Sequence, residues 1–349
     1  MTSTNEIEEK LFLKAKDFLK KSKGLRKNVM EDIFERNMLI FPRDIVVVNY
    51  PRTPCVVFNP GAILVNSKVE VYPRLIFDYW KYTSSVGYFE LNIEDVLSGS
   101  KPERICTRIV LWPRRLYDFL GTEDARAFRF GDRVILLYTA KGYAPYSDIR
   151  RDYVGFAELD ENRNLVKRDI FRIKFGDVYY DPITNKDSSF LEMRKNDIWM
   201  LTRPNLRGLM ICWRTLANME ERVMYGETLE PVFGQEEWEH KVGWSTNAVK
   251  LSSNEYIIGW HCVHKEDLSY RDGFAVVSDE GELLGVSDYL LGTKGLVEEY
   301  GDRAMVIFGD GLIKYDEKLI WVGGVSDYAV GFFSADLDKV LEKVRWVRG

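Results

Sequence analysis

The sequence predicts an all-β protein: a five-bladed β-propeller with a short helical extension at its N-terminus and a short helix at its C-terminus. Three observations predict it. From residue 44 onward, short β-branched and aromatic runs replace any helical period. Two-residue turn signals separate paired runs. The pairs recur at a nearly fixed spacing along the chain.

The first 43 residues read differently. Ile7, Leu11, Ala15, Phe18 and Leu19 recur at helical spacing. Asn5 with Glu8 forms a capping-box pattern before them. Asn28 with Glu31 repeats it before an expected second short helix carrying Val29 and Ile33. These helices are either a packing or oligomerisation arm, through which a homo-oligomer would form, or a cap over the body. Residues 44–349 are the expected propeller domain.

The runs within it include Val46-Val47-Val48, 133–138, 256–260 and 319–322. Turns at Asn66-Ser67, Gly131-Asp132, Asn196-Asp197, Ser253-Asn254 and Asp316-Glu317 are spaced by 65, 65, 57 and 63 residues. A second run follows each, opening at Val86, Val154, Leu209, Gly273 and Val330. Each unit therefore offers four strands in roughly sixty residues, the period of a propeller blade.

Composition bounds the function. The 349 residues carry 49 Lys and Arg against 54 Asp and Glu, a net charge of −5, which excludes broad non-specific nucleic-acid binding. No apolar stretch is long enough to cross a membrane, and the N-terminus has no secretory pattern. Cys55, Cys106, Cys212 and Cys262 are scattered, arguing against a zinc ribbon or a disulfide framework. A cytoplasmic protein is expected. Gln235 is the one glutamine, a compositional hint of a thermophilic source. No metalloprotease, Walker or nucleophile-elbow motif occurs. His240, His261 and His264 are the histidines; His261 and His264 should face different ways on a strand, and no metal site is expected.

In a propeller, the positions opening each unit's first hairpin converge on the axis. They are Asn59-Pro60-Gly61, Glu123-Asp124-Ala125, Lys186-Asp187-Ser188, Ser245-Thr246-Asn247 and Gly309-Asp310-Gly311. All are small or polar. With Arg203, Lys241 and His261 from the far ends of hairpins, Lys186 would build a cationic pocket in an acidic protein, suited to phosphate or another oxyanion. Some of the aromatic residues could stack on sugar rings.

These residues resemble glycoside hydrolase family 130, the β-mannoside phosphorylases and related mannosidases. Glu123-Asp124-Ala125-Arg126 resembles the family's Glu-Asp-Pro-Arg, with Ala125 in place of proline. Asn185-Lys186-Asp187 matches its Asn-Lys-Asp, and Thr202-Arg203-Pro204 resembles its His-Arg-Pro. Lys241-Val242-Gly243, Trp260-His261-Cys262-Val263 and Ala329-Val330-Gly331 resemble further motifs in the same order.

The resemblance implies an inverting phosphorylase that uses inorganic phosphate as co-substrate and needs no cofactor. Asp124 would be the general acid. Lys186, Arg203, Lys241, His261 and Tyr270 would bind phosphate. Asn59, Glu123, Arg126, Asp187, Asp310 and Asp327 would hold an oligosaccharide or small glycoside. An inverting β-mannoside hydrolase, with Glu192, Glu123, Asp187 or Asp310 as a second carboxylate, and a non-catalytic carbohydrate-binding propeller stay open as alternatives.

Overall fold

The computed structural model describes residues 3–347. The outermost residues of the two expected segments, 1–2 and 348–349, lie outside the described residues. Within them the chain is mostly β-strand with few helices.

Helix Thr4–Lys21 forms where the apolar spacing predicts it. Its cap differs from the expected pair: Ser3 and Glu6 form the capping box, not Asn5 and Glu8. Ile7, Leu11 and Ala15 are buried with Trp213, Ile211 and Phe171 in one core cluster. Burial of Ile7 and Leu11 contributes roughly 1.5–3 kcal/mol each. The helix's apolar stripe thus packs against its own chain.

The expected second helix does not form. Instead Glu31 N–H donates to Tyr289 O and Tyr289 N–H to Val29 O. Asn28 Oδ1 accepts from Arg271, and Glu31 pairs with Lys343. The polar side chains that would cap a helix are bound to distant partners. The chain then enters strand Glu35–Ile40, which pairs antiparallel with Ala329–Asp336.

The strands that follow group into antiparallel units within four sheets, of five, eleven, six and four strands. Most open on a long hairpin, continue into a third strand and end on an outer one; the fourth opens instead on the shorter strand Glu239–Trp244, paired with Glu255–His264. The first unit runs Val56–Val65, Lys68–Ile76, Ser84–Asn92 and Ile105–Leu111. The second runs Gly121–Phe130, Arg133–Tyr143, Arg150–Leu159 and Leu165–Phe175. The third opens on Asn185–Arg194 and Asp197–Leu206, and a short parallel pairing to Leu165–Phe175 joins it to the second. The fourth centres on Glu255–His264 and Tyr270–Ser278. The fifth is Ile307–Tyr315, Lys318–Val325 and Ala329–Asp336. The N-terminal strand Glu35–Ile40 supplies its outer edge. Four of the five turns lie within a residue of their sequence positions. The Ser253-Asn254 turn closes on the short strand Val249–Lys250.

Helix Leu337–Glu342 forms near the C-terminus. No described helix is long and apolar enough to cross a membrane.

The apolar cores lie between units rather than within one. Ile63 and Tyr72 meet Leu136 and Tyr138 between units one and two. Phe156 and Phe171 meet Phe190 between two and three. Leu201 and Phe233 meet Trp244 and Trp260 between three and four. Phe274 meets Trp321 between four and five, and Val322 meets Val57 and Val71 between five and one. Both faces of every unit are therefore covered, which explains why the strands read as nearly continuous apolar runs rather than strict alternations.

Arg26 anchors the N-terminal segment. Its buried guanidinium lies 2.5 Å from Glu239, donates to Gly234 O at 2.8 Å and stacks over Trp260. Breaking one half of a buried pair leaves the other charge uncompensated. Arg26→Met is expected to cost about 3–5 kcal/mol in urea unfolding. Arg26→Met combined with Glu239→Leu is expected to recover most of the loss.

Candidate active site

Three opening hairpins carry a distortion that aims side chains inward. The ladder slips between Phe58 and Gly61, between Glu123 and Arg126, and between Lys186 and Ser189. At these bulges Asn59, Asp124 and Asp187 have φ of 43°, 51° and 54°. Non-glycine residues rarely adopt that conformation, and bulges re-aim a side chain. Gly324 makes room for one of them: a Cβ there would fall 2.0 Å from Asn59 Oδ1.

The three side chains face a cavity of about 240 Å³. One wall is acidic. Asp124 Oδ1 accepts from Asn59 Nδ2 at 3.0 Å and from Arg74 Nη1 at 3.2 Å. Both donors share one oxygen; among the described residues Oδ2 receives none. Glu123 Oε1 accepts from Arg74 at 2.9 Å and Lys141 at 3.0 Å. Burial pushes the Glu123 carboxyl up, but Arg74 and Lys141 outweigh it and hold it below its usual value. Asp327 behaves oppositely. Burial raises it to about 6 against the pull of Arg74 and Arg303.

The other wall is cationic. Lys186 and Arg203 are cross-strand partners, as are Gly243 and His261. Arg203 lies 2.5 Å from Asp187 Oδ2 as a close ion pair without an in-line hydrogen bond. Burial opposes the Asp187 charge, but Arg203 and Arg126 hold that carboxyl well below its usual range. Lys241 donates to the Tyr270 hydroxyl at 2.8 Å. The His261 ring stacks on Tyr270 at 5.6 Å, and its Nδ1 bonds Ser245 Oγ at 3.0 Å. Burial, with help from Arg203 and Lys241 and against Asp187, pushes His261 well below its usual value, so the imidazole is neutral. Burial also lowers Lys241 to about 7, assisted by Arg203 and Lys186.

Three cations of this cavity, Lys186, Lys241 and Arg303, have no carboxylate partner among the described residues. Arg74 and Arg203 have theirs. The wall thus holds surplus positive charge in a partly desolvated place, where an anion with several acceptor oxygens would be bound.

Most sequence-predicted site residues meet here: Asn59, Glu123, Asp124, Lys186, Asp187, Arg203, Lys241, His261, Tyr270 and Asp327. Arg126 and Asp310 do not line the cavity. They form a fully buried pair at 2.6 Å behind Asp187, so the expected direct sugar contact is replaced by a structural one. Glu192 lies outside too, bonded to Lys250 and Tyr256.

Sequence reasoning missed Arg74, Tyr82, Lys141, Arg303 and Phe308. Arg74 pairs with Phe58, just before the bulge at Asn59, as Arg203 pairs with Lys186 before Asp187, a signal that could have found it; Lys141 lies two residues beyond the equivalent position, Thr139.

Cleaving a glycoside calls for a proton donor on one side of the sugar ring and an entering nucleophile on the other. Facing acidic and cationic walls provide for both, and the chain is a carbohydrate-cleaving enzyme. Residues 24–346 match the model of glycoside hydrolase family 130, described as β-1,4-mannooligosaccharide phosphorylase, and the chain belongs to that family. Its members are glycoside phosphorylases or glycosidases.

Solved structures share the fold. A β-1,2-mannobiose phosphorylase from Listeria innocua, in complex with β-1,2-mannobiose, is 16% identical with a TM-score of 0.68; the match covers 87% of this chain and 96% of that one. A mannose phosphorylase from Leishmania mexicana, in complex with a phosphate ion, is 13% identical with a TM-score of 0.58; coverage is 98% and 97%. No curated protein sequence matches the chain.

Lys241 gives the cationic wall a pH dependence. Its charge is full below about 7 and lost above it, so anion affinity should fall as pH rises. Sulfate keeps its own charge across this range. Calorimetric sulfate affinity is expected to drop several-fold between about pH 6 and pH 8. Lys241→Arg, which stays charged, should flatten the drop.

Proposed function

We propose that this enzyme is an inverting β-mannoside phosphorylase built on a five-bladed propeller. The observation that carries the reading is the set of three cavity-lining cations, Lys186, Lys241 and Arg303, with no carboxylate partner among the described residues. A hydrolase would have no use for such a surplus; a phosphate co-substrate would.

In this reading the cationic wall, with Arg203, His261 and Tyr270, orients inorganic phosphate. A phosphate oxygen forms the new bond to the anomeric carbon as the glycosidic C–O bond breaks. The leaving oxygen takes its proton from Asp124, whose Oδ2 carries no protein donor. The products are mannose 1-phosphate and a shortened saccharide. Phosphate supplies its own nucleophilic oxygen, so no carboxylate base is required, and catalysis rests on orientation and charge. Asn59, Glu123, Asp187 and Asp327 would hold the sugar between the walls.

Asp327 favours a second reading, inverting hydrolysis. A carboxyl raised to about 6 in the same cavity could activate a water.

A single assay separates the two. Purified enzyme is incubated with β-1,2- and β-1,4-mannobiose, with and without inorganic phosphate. Mannose 1-phosphate formed only with phosphate is the expected result; free mannose at a rate indifferent to phosphate would establish the hydrolase. Asp124→Asn is expected to lower kcat by about 10²–10⁴-fold, the usual worth of a positioned acid.

A further inference from the structure

The loop between the second and third strands of the first unit carries Tyr79, Trp80 and Tyr82 within four residues. Tyr82 lines the cavity and lies 5.7 Å from the Arg74 guanidinium, the group that also holds Asp124. From there the rings lead outward. Tyr79 stacks on Tyr82, with centroids 6.2 Å apart and planes at 28°. The Tyr79 hydroxyl lies near the carboxylate of Asp302, the neighbour of cavity-lining Arg303; burial and that carboxylate together push the hydroxyl up. Tyr79 is nevertheless 55% exposed, and Trp80 is 91% exposed.

The loop is fixed at both ends. Arg52 donates to Phe77 O at 2.5 Å, and Arg74 Nε donates to Ser84 Oγ at 2.9 Å. A pinned loop holding bare aromatic faces at a cavity mouth is a poor use of surface unless something covers them. The chemistry of the cavity says what. Asp302 and Asp327 flank these rings, so the aromatic side is not an anion path. It continues from the wall that carries the acid. Aromatic faces stack on the apolar faces of sugar rings, while the flanking Asp302 offers acceptors to hydroxyls.

We propose that Tyr82, Tyr79 and Trp80 form a stacking strip for the leaving-group saccharide, selecting substrates with two or more sugar rings beyond the cleaved bond. The assignment of that side to the leaving group rests on the phosphorylase reading.

The test compares kcat/KM for mannotriose and mannobiose of both β-1,2 and β-1,4 linkage. Tyr79→Ala and Trp80→Ala are each expected to lower the triose-to-biose ratio about tenfold, and Tyr79→Phe, which keeps the ring, to restore most of it. An unchanged ratio in both alanine variants overturns the strip. Calorimetry with mannotriose in the absence of phosphate decides the matter independently of turnover. Tighter binding of triose than biose that Tyr79→Ala removes supports the strip, even if no mannose 1-phosphate forms and the phosphorylase reading fails. Equal binding of the two sugars by the unaltered enzyme overturns it.

Discussion

The inner edges of four units meet on one guanidinium. Arg126, buried in the second unit, donates Nε to Ser245 O of the fourth at 2.7 Å and Nη1 to Asp124 O of its own at 2.9 Å. Its Nη2 lies 2.6 Å from Asp310 of the fifth and 3.5 Å from Asp187 of the third. It stacks over Phe308 as well. Burial pushes the Asp310 carboxyl well up despite this cation. Further links join the fourth unit to its neighbours: Asn247 with Leu312 of the fifth, and Ala248 with Ser189 of the third. The cavity residues keep their places because these inner strands keep theirs.

That arrangement separates charge. Carboxylates held by Arg74 stand on one side, and cations without carboxylates stand on the other. Gly243 allows the cationic side to form: a Cβ there would lie 2.6 Å from Arg203 Nε and 2.8 Å from His261 Cε1. Arg203 and His261 thus rest directly on bare backbone, and the stacked Tyr270 fixes the imidazole from its other face. The site's electrostatics follow from where side chains were left out as much as from where they were placed.

Much of this was legible in sequence, for local reasons. Gly131-Asp132 and Asp316-Glu317 mark strand reversals because two-residue turns demand particular residues. Asp124 and Asp187 stood out among the small or polar positions that open each unit's first hairpin. The failures were non-local. Asn28 and Glu31 carry a capping signature, but Arg271 and Lys343, more than two hundred residues away, take those side chains. Arg126 looked like a ligand contact because it stood beside Asp124; only the tertiary fold turns it toward Asp310. Arg303 comes from an irregular segment with no period to betray it.

Strand Glu35–Ile40 is made early and placed late. Its partner, Ala329–Asp336, is synthesised only after every intervening unit. Until then the last sheet lacks its outer strand and the ring of cores lacks its closing joint, between units five and one. Helix Thr4–Lys21, by contrast, finds its seat once the third unit exists. The segment before the first unit is therefore seated on two distant parts of the chain, its helix against the core around the third unit and its strand as a clasp on the fifth.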